Sequence, residues 1–156
     1  MMGRKIDSDT LEPINLKLYQ SGQTLPMSYA GTIFEAMRKV RAAVGMAAKD
    51  FDILLTPSLP STARPHGEYS TTREDLSAEE YMKGDIRLFQ YLGVFNVTGQ
   101  PSVSLPLAHS ADGLPIGIQL AARLGDEATL VKIARDLEEA MPRHTRIPPV
   151  HASRPK

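Results

Sequence analysis

The stretch Ser102-Val103-Ser104-Leu105-Pro106-Leu107, followed after AHSADG (108–113) by Leu114-Pro115-Ile116-Gly117-Ile118-Gln119-Leu120, sets the fold class. Val103, Leu105 and Leu107 fall at every second position, and so do Ile116, Ile118 and Leu120. Side chains alternate across a strand, so each apolar trio occupies one face, with Gly117 and Gln119 on the other. Asp112-Gly113 supplies a turn between the two runs, which predicts an antiparallel hairpin with a longer connection. Gly117 lacks a Cβ and leaves room for another backbone to approach.

Downstream of the hairpin, Asp126 caps an amphipathic helix. Leu130, Ile133, Ala134, Leu137 and Met141 follow the helical step, and Pro142 ends it. Upstream, Phe95-Asn96-Val97-Thr98-Gly99-Gln100-Pro101 reads as a turn, with Gly99 at the bend and Pro101 fixing the strand entry. Before it, Ser77-Ala78-Glu79-Glu80 matches a capping box. It predicts a helix through Tyr81, Ile86 and Phe89 towards Leu92, with Gly84 as its weak point. Residues 57–74 carry prolines at 57, 60 and 65 and form a long loop of the length that often serves function.

Phe51-Asp52-Ile53-Leu54-Leu55-Thr56 is short, apolar and closed by Pro57, so it reads as a buried strand. Ile33, Met37, Val40 and Val44 share one face of a helix from Ser28, its expected N-cap, to about Lys49. Residues 13–28 hold Pro13, Gly22 and Pro26, which allow only a short helical piece around Ile14–Tyr19. Residues 1–12 are a loose N-terminal segment, 13–150 one domain and 151–156 a tail. The whole is an α/β chain whose partial sheet, flanked by helices, has three strands. One strand, 51–56, is apolar on both faces and is left short of neighbours and cover.

The chain has 156 residues, 42% of them hydrophobic and 23% charged, which describes a globular domain rather than a disordered one. Eighteen basic and eighteen acidic residues cancel, so no global field points to nucleic acid or an anionic membrane. Arg143, His144, Arg146, His151, Arg154 and Lys156 form a basic, solvated tail. The absence of cysteine excludes disulfides, thiolate metal sites and a cysteine nucleophile. No signal peptide and no apolar run of roughly 18 residues is present, so the expected location is the cytoplasm, with no membrane partner.

A serine hydrolase needs an activated hydroxyl, a base and an oxyanion hole. No Gly-x-Ser-x-Gly or Gly-Gly-Ser-Ser stretch is present. Ser153-Arg154-Pro155-Lys156 has Ser-x-x-Lys spacing, but a proline interrupts it at the extreme terminus. His66, His109, His144 and His151 show no metal spacing, and no Gly-rich phosphate loop occurs, so neither a metal nor a cofactor is expected. Asp52, Asp126 and Glu127 sit at element starts, where capping and the helix dipole account for them. Tyr81, Phe89, Tyr91 and Phe95 form an aromatic set of the kind that more often builds core than a ligand box.

The order of these segments resembles the amidase-signature family. Phe51–Pro57 looks like its Asp-x-Leu-Leu-Thr-Pro strand, and Phe95–Pro106 resembles its Phe-Asn-x-Thr-Gly-x-Pro turn and strand. Asp112–Leu120 is similar to its Asp-Gly-Leu-Pro-x-Gly-x-Gln strand, and Gly125-Asp126-Glu127 with the helix that follows resembles its last helix. The resemblance covers roughly residues 10 to 150. It implies the C-terminal portion of a mixed sheet wrapped by helices. It also implies amide hydrolysis by a serine, a second serine with a cis peptide bond, and a lysine, all in the family's N-terminal part. No position here inherits those roles, so the catalytic set is expected to be absent and the chain inactive alone. By the same resemblance Phe89 and Phe95 wall the acyl pocket, the substrate is a small amide with an apolar portion, and loop 57–74 forms a rim. The expected partner is the missing N-terminal part of the amidase. The alternative is a non-catalytic module that joins a separate chain or self-associates through its open sheet edge. A third reading, a small independent enzyme using His66, has no spacing to support it.

Overall fold

In the computed structural model, which describes residues 3–142, 147 and 150–152, five helices and three strands follow one another. They are α1 (Pro13–Gln23), α2 (Tyr29–Ala47), β1 (Ile53–Pro57), α3 (Ala78–Leu88), α4 (Gly93–Thr98), β2 (Ser102–His109), β3 (Pro115–Ala122) and α5 (Glu127–Ala140). A single 3-10 turn, Ala48–Asp50, links α2 to β1.

The alternation of the two apolar trios produces the hairpin. β2 and β3 pair antiparallel, with Val103 opposite Leu120 and Leu105 opposite Ile118. The ladder then slips, because Leu105 pairs with Ile118 but Ala108 with Ile116, so Pro106 and Leu107 face Gly117 alone. Pro106 has no N–H to give to a ladder, and a bulge is where a strand tolerates that. At the tip Gly113 takes φ 80°, and the Ser110 Oγ accepts from the Leu114 amide.

β1 lies on the other side of β3, also antiparallel, giving the order β1-β3-β2. Both strand pairings among the described residues are thus antiparallel. Leu105, Leu120, Ala122 and Leu130 are the buried centre, with Ile53, Val103, Leu107, Ile133, Ala134 and Leu137 packed around them. This is the face α5 covers with Leu130, Ile133, Ala134 and Leu137 of the stripe read in the sequence, while Met141, past the helix end, is 47% exposed. Fully burying a side chain such as Leu120 contributes about 1.5–3 kcal/mol. Asp126 caps α5 by accepting from the Thr129 amide.

Several local expectations change. β1 was expected to be buried, yet Leu54 is 48% and Leu55 61% exposed. Its outer edge has no neighbour among the described residues, as the shortage of strands foretold. Pro57 belongs to the strand, which an edge permits. Residues 13–28 hold an 11-residue helix rather than a short piece, because Pro13 sits in its first turn, where no N–H is needed. Ser28 precedes α2 but makes no side-chain cap, since its own backbone is already helical. On α2, Met37 and Val44 are half-buried while Ile33 and Val40 lie exposed. The capping box forms as read, with Glu80 and Ser77 satisfying each other's amides. That helix stops at Leu88, however, and residues 93–98 form a helix of their own. Gly99 is the left-handed cap of α4, not part of an open turn. The basic C-terminal cluster falls largely outside the described residues.

No helix among the described residues is long and apolar enough to cross a membrane.

Gly117 has a use other than backbone approach. Ser58, just past β1, and Ser104, on β2, reach over it from both sides, and their hydroxyls meet at 2.5 Å. A Cβ at 117 would lie 2.7 Å from the Ser58 Oγ and 3.0 Å from the Ser104 Oγ. G117A should therefore destabilise the chain by about 1–3 kcal/mol, as overpacking does. Adding S58G removes the nearer obstruction and should restore most of the loss. Urea midpoints of the three chains measure both effects, and an unchanged midpoint for G117A would show the contact to be slack.

Candidate functional site

On the face of the sheet away from α5, the polar side chains of the strands lie under α3 and α4. Gln119, between the half-buried Ile118 and the core residue Leu120, is 2% exposed and is the one buried polar residue among those described. Its Nε2 donates to the Tyr91 carbonyl at 3.0 Å and to the Thr56 Oγ1 at 3.3 Å. One amide thus joins β3, β1 and the turn after α3. Leaving such a buried group unpaired costs about 1–3 kcal/mol, which explains why both partners are in place.

Beside it opens a cleft of about 700 Å³. Ser102 and Gln119 line it from the sheet, Asp85 and Ile86 from α3, Phe89 from the C-cap of α3, and Phe95 and Asn96 from α4. The two residues singled out in the sequence are therefore brought together. They differ in character: Phe89 is 40% exposed and offers its ring to the cleft, whereas Phe95 is 6% exposed and mostly core. Tyr91 supports the site through its backbone carbonyl. Tyr81 lies on the other side of α3 and donates from its hydroxyl to the Tyr69 carbonyl at 3.4 Å. Gln119 was read only as the outward partner of an apolar trio. Its isolation as a polar residue in a strand otherwise covered on that side was the signal available.

The cleft holds a hydroxyl, Ser102, and a carboxylate, Asp85, and no lysine or histidine lines it among the described residues. His66 lies instead on the long loop, exposed, against a separate hollow of about 380 Å³. No cluster of His, Asp or Glu suited to a metal occurs among the described residues. Asp52, read as structural, pairs with Arg123 at 2.5 Å, and Arg123 also donates to the Phe51 carbonyl.

Residues 1–131 match the family model described as Amidase. The chain belongs to the amidase family. The amidase relatives include AmiC of Mycobacterium leprae, 36% identical over 106 residues, which are 68% of this chain and 22% of that protein. The 6-aminohexanoate-cyclic-dimer hydrolase of Paenarthrobacter ureafaciens is 28% identical over 146 residues, 91% of this chain and 30% of the relative. A solved structure of a 6-aminohexanoate cyclic dimer hydrolase superposes with a TM-score of 0.79 at 27% identity, covering 90% of this chain and 30% of that one. The chain thus spans less than a third of these amidases, matching their C-terminal part.

The long loop of this amidase segment is held by ion pairs. Arg64 grips Glu68 through its Nε at 3.0 Å and its Nη2 at 2.5 Å, and Arg73 pairs with Asp75. Lys17 of α1 donates to the Glu74 and Leu76 carbonyls, each at 2.7 Å. The hydrogen bond from Arg64 holds the Glu68 carboxyl below its ordinary value of 4.5, and that from Arg73 holds Asp75 below 3.8. Groups whose folded pKa is lowered contribute their full stabilisation above the ordinary value and lose it as pH falls through the lowered one. Loop 57–74 should therefore keep its order at pH 7 and loosen below about pH 4. Amide exchange in residues 64–75, compared with β3 across that range, reads the change. Equal protection of the loop at pH 6 and pH 3 would show that the pairs do not hold it.

Proposed function

We propose that this chain is the C-terminal segment of an amide hydrolase of the Ser-cisSer-Lys type, that it walls the substrate cleft, and that it is inactive alone. The observation that carries the reading is the cleft itself: Phe89 and Phe95 line one hollow against the sheet, with Gln119, Ser102, Asp85 and Asn96 as its polar groups. Apolar walls with a few polar groups suit a small amide with an apolar portion. The 6-aminohexanoate-cyclic-dimer hydrolase, by its name, acts on an amide built from aliphatic chains, which is compatible with such walls. The catalytic serines and lysine belong to the N-terminal part of the family fold, so the partner of this segment is that part.

The likeness of β1 to a half-finished edge supports the partnership. Phe51, Leu54 and Leu55 are each about half exposed or more, and an apolar hollow runs from Val44 and Ala47 of α2 to Leu54. Exposed strand edges pair with whatever strand is offered, and a covering segment would bury this surface. The same edge favours a second reading, a non-catalytic module that self-associates there.

Two measurements test these readings. Purified chain incubated with simple amides, with acid and amine both counted, should show no turnover above buffer. Activity that persists through further purification would overturn the reading. Light scattering after size exclusion should show association, or an apolar dye should bind the isolated chain. A monomer that ignores the dye would count against both the partnership and the self-association.

A further inference from the structure

On α3, Gly84, Arg87 and Leu88 point away from Asp85, Ile86 and Phe89, because successive helix residues turn by about 100°. The first set lines a different hollow, of about 450 Å³, between α3 and the 57–74 loop. Three arginines line it, Arg64, Arg73 and Arg87. Arg64 is taken by Glu68 and Arg73 by Asp75. The carboxylates lining it are engaged as well, Glu68 by Arg64 and Glu80 by the Ser77 amide and hydroxyl. Arg87 forms no ion pair with any described residue. One turn earlier, Lys83 is bonded to Glu79, and its charge and that of Arg87 repel. Among the described residues, Arg87 is thus the arginine lining this hollow that pairs with no carboxylate, and it lies beside Leu76 and Leu88.

We infer that this hollow is a binding site for a monocarboxylate with an apolar body, gripped by the Arg87 fork. A guanidinium offers two parallel donors that match one carboxylate. A dianion such as phosphate fits less well, because the Glu68 and Glu80 carboxylates line the same space and repel a second negative charge. Since Arg87 is exposed, the affinity belongs in roughly the millimolar range. The site is separate from the Phe89 cleft and does not depend on the amidase reading.

The test is a titration of the chain, with arginine side chains labelled by ¹⁵N, against sodium benzoate, benzyl alcohol and inorganic phosphate. Benzoate should move the Arg87 Nε–H signal to saturation, and benzyl alcohol should not. R87Q should lose affinity by at least about tenfold, the scale of one charge-assisted pair. R135Q, on α5, should bind as the parent does. The substitution at 87 lies on an exposed helix position, and R87K, which keeps the charge and loses the fork, should be intermediate. Absence of saturation with benzoate would overturn the proposal, and so would equal affinity in R87Q. Tighter binding of phosphate, or equal binding of benzyl alcohol, would overturn the carboxylate assignment.

Discussion

The buried amide of Gln119 sets the geometry on which the site depends. It stands on the middle strand, with Leu120 turned into the core beside it, and it donates both to β1 and to the turn that ends α3. A polar group so deeply placed must find partners, so β1 and the Tyr91 turn are drawn to fixed positions against β3. The cleft beneath α3 and α4 is what remains between them. The helix side offers Ile86, Phe89 and Phe95 together with Asp85 and Asn96, and the sheet side offers Ser102 and Gln119. On the opposite face, α5 and the leucines make an ordinary apolar layer.

The surface is unequal in a way that matches the span of the amidase family this chain covers. α5 buries its stripe, while α2 buries none of its residues. β3 is flanked on both sides, while β1 presents an edge and two leucines to solvent. The family relation gives these two facts one frame, since the chain spans less than a third of its relatives. The long loop is better satisfied: its guanidiniums and carboxylates answer one another, and Lys17 ties its end to α1.

The parts that were legible in sequence are those governed by local rules. The hairpin followed from period-two alternation, α5 from its stripe and its Asp126 cap, and α3 from the capping box at Ser77. Phe89 and Phe95 were named from the resemblance, not from spacing, and both line one hollow. What could not be read depends on which segments meet. The break between α3 and α4 separates two runs that share helical character, and only packing against the sheet decides it. The Ser58 and Ser104 contact over Gly117 joins residues 46 positions apart, and Gln119 meets Thr56 across 63. Gly117 signalled a close approach, but nothing local said that two hydroxyls would make it. Arg87 likewise resembles any surface arginine until the neighbours of Arg64 and Arg73 are known.

The placement of β3 between β2 and β1 also orders the assembly of the sheet in time. β2 and β3 are joined by a short connection, so their pairing closes a small loop, whereas β1 must return from about sixty residues away to meet the same strand. Closing the larger loop costs more chain entropy, and that cost is met only when β3 already exists as a template. Chain entropy thus favours a hairpin that forms first and a β1 that joins it later, an order in which substitutions within 102–122 would weigh on the rate of folding and those in 53–57 on the rate of unfolding.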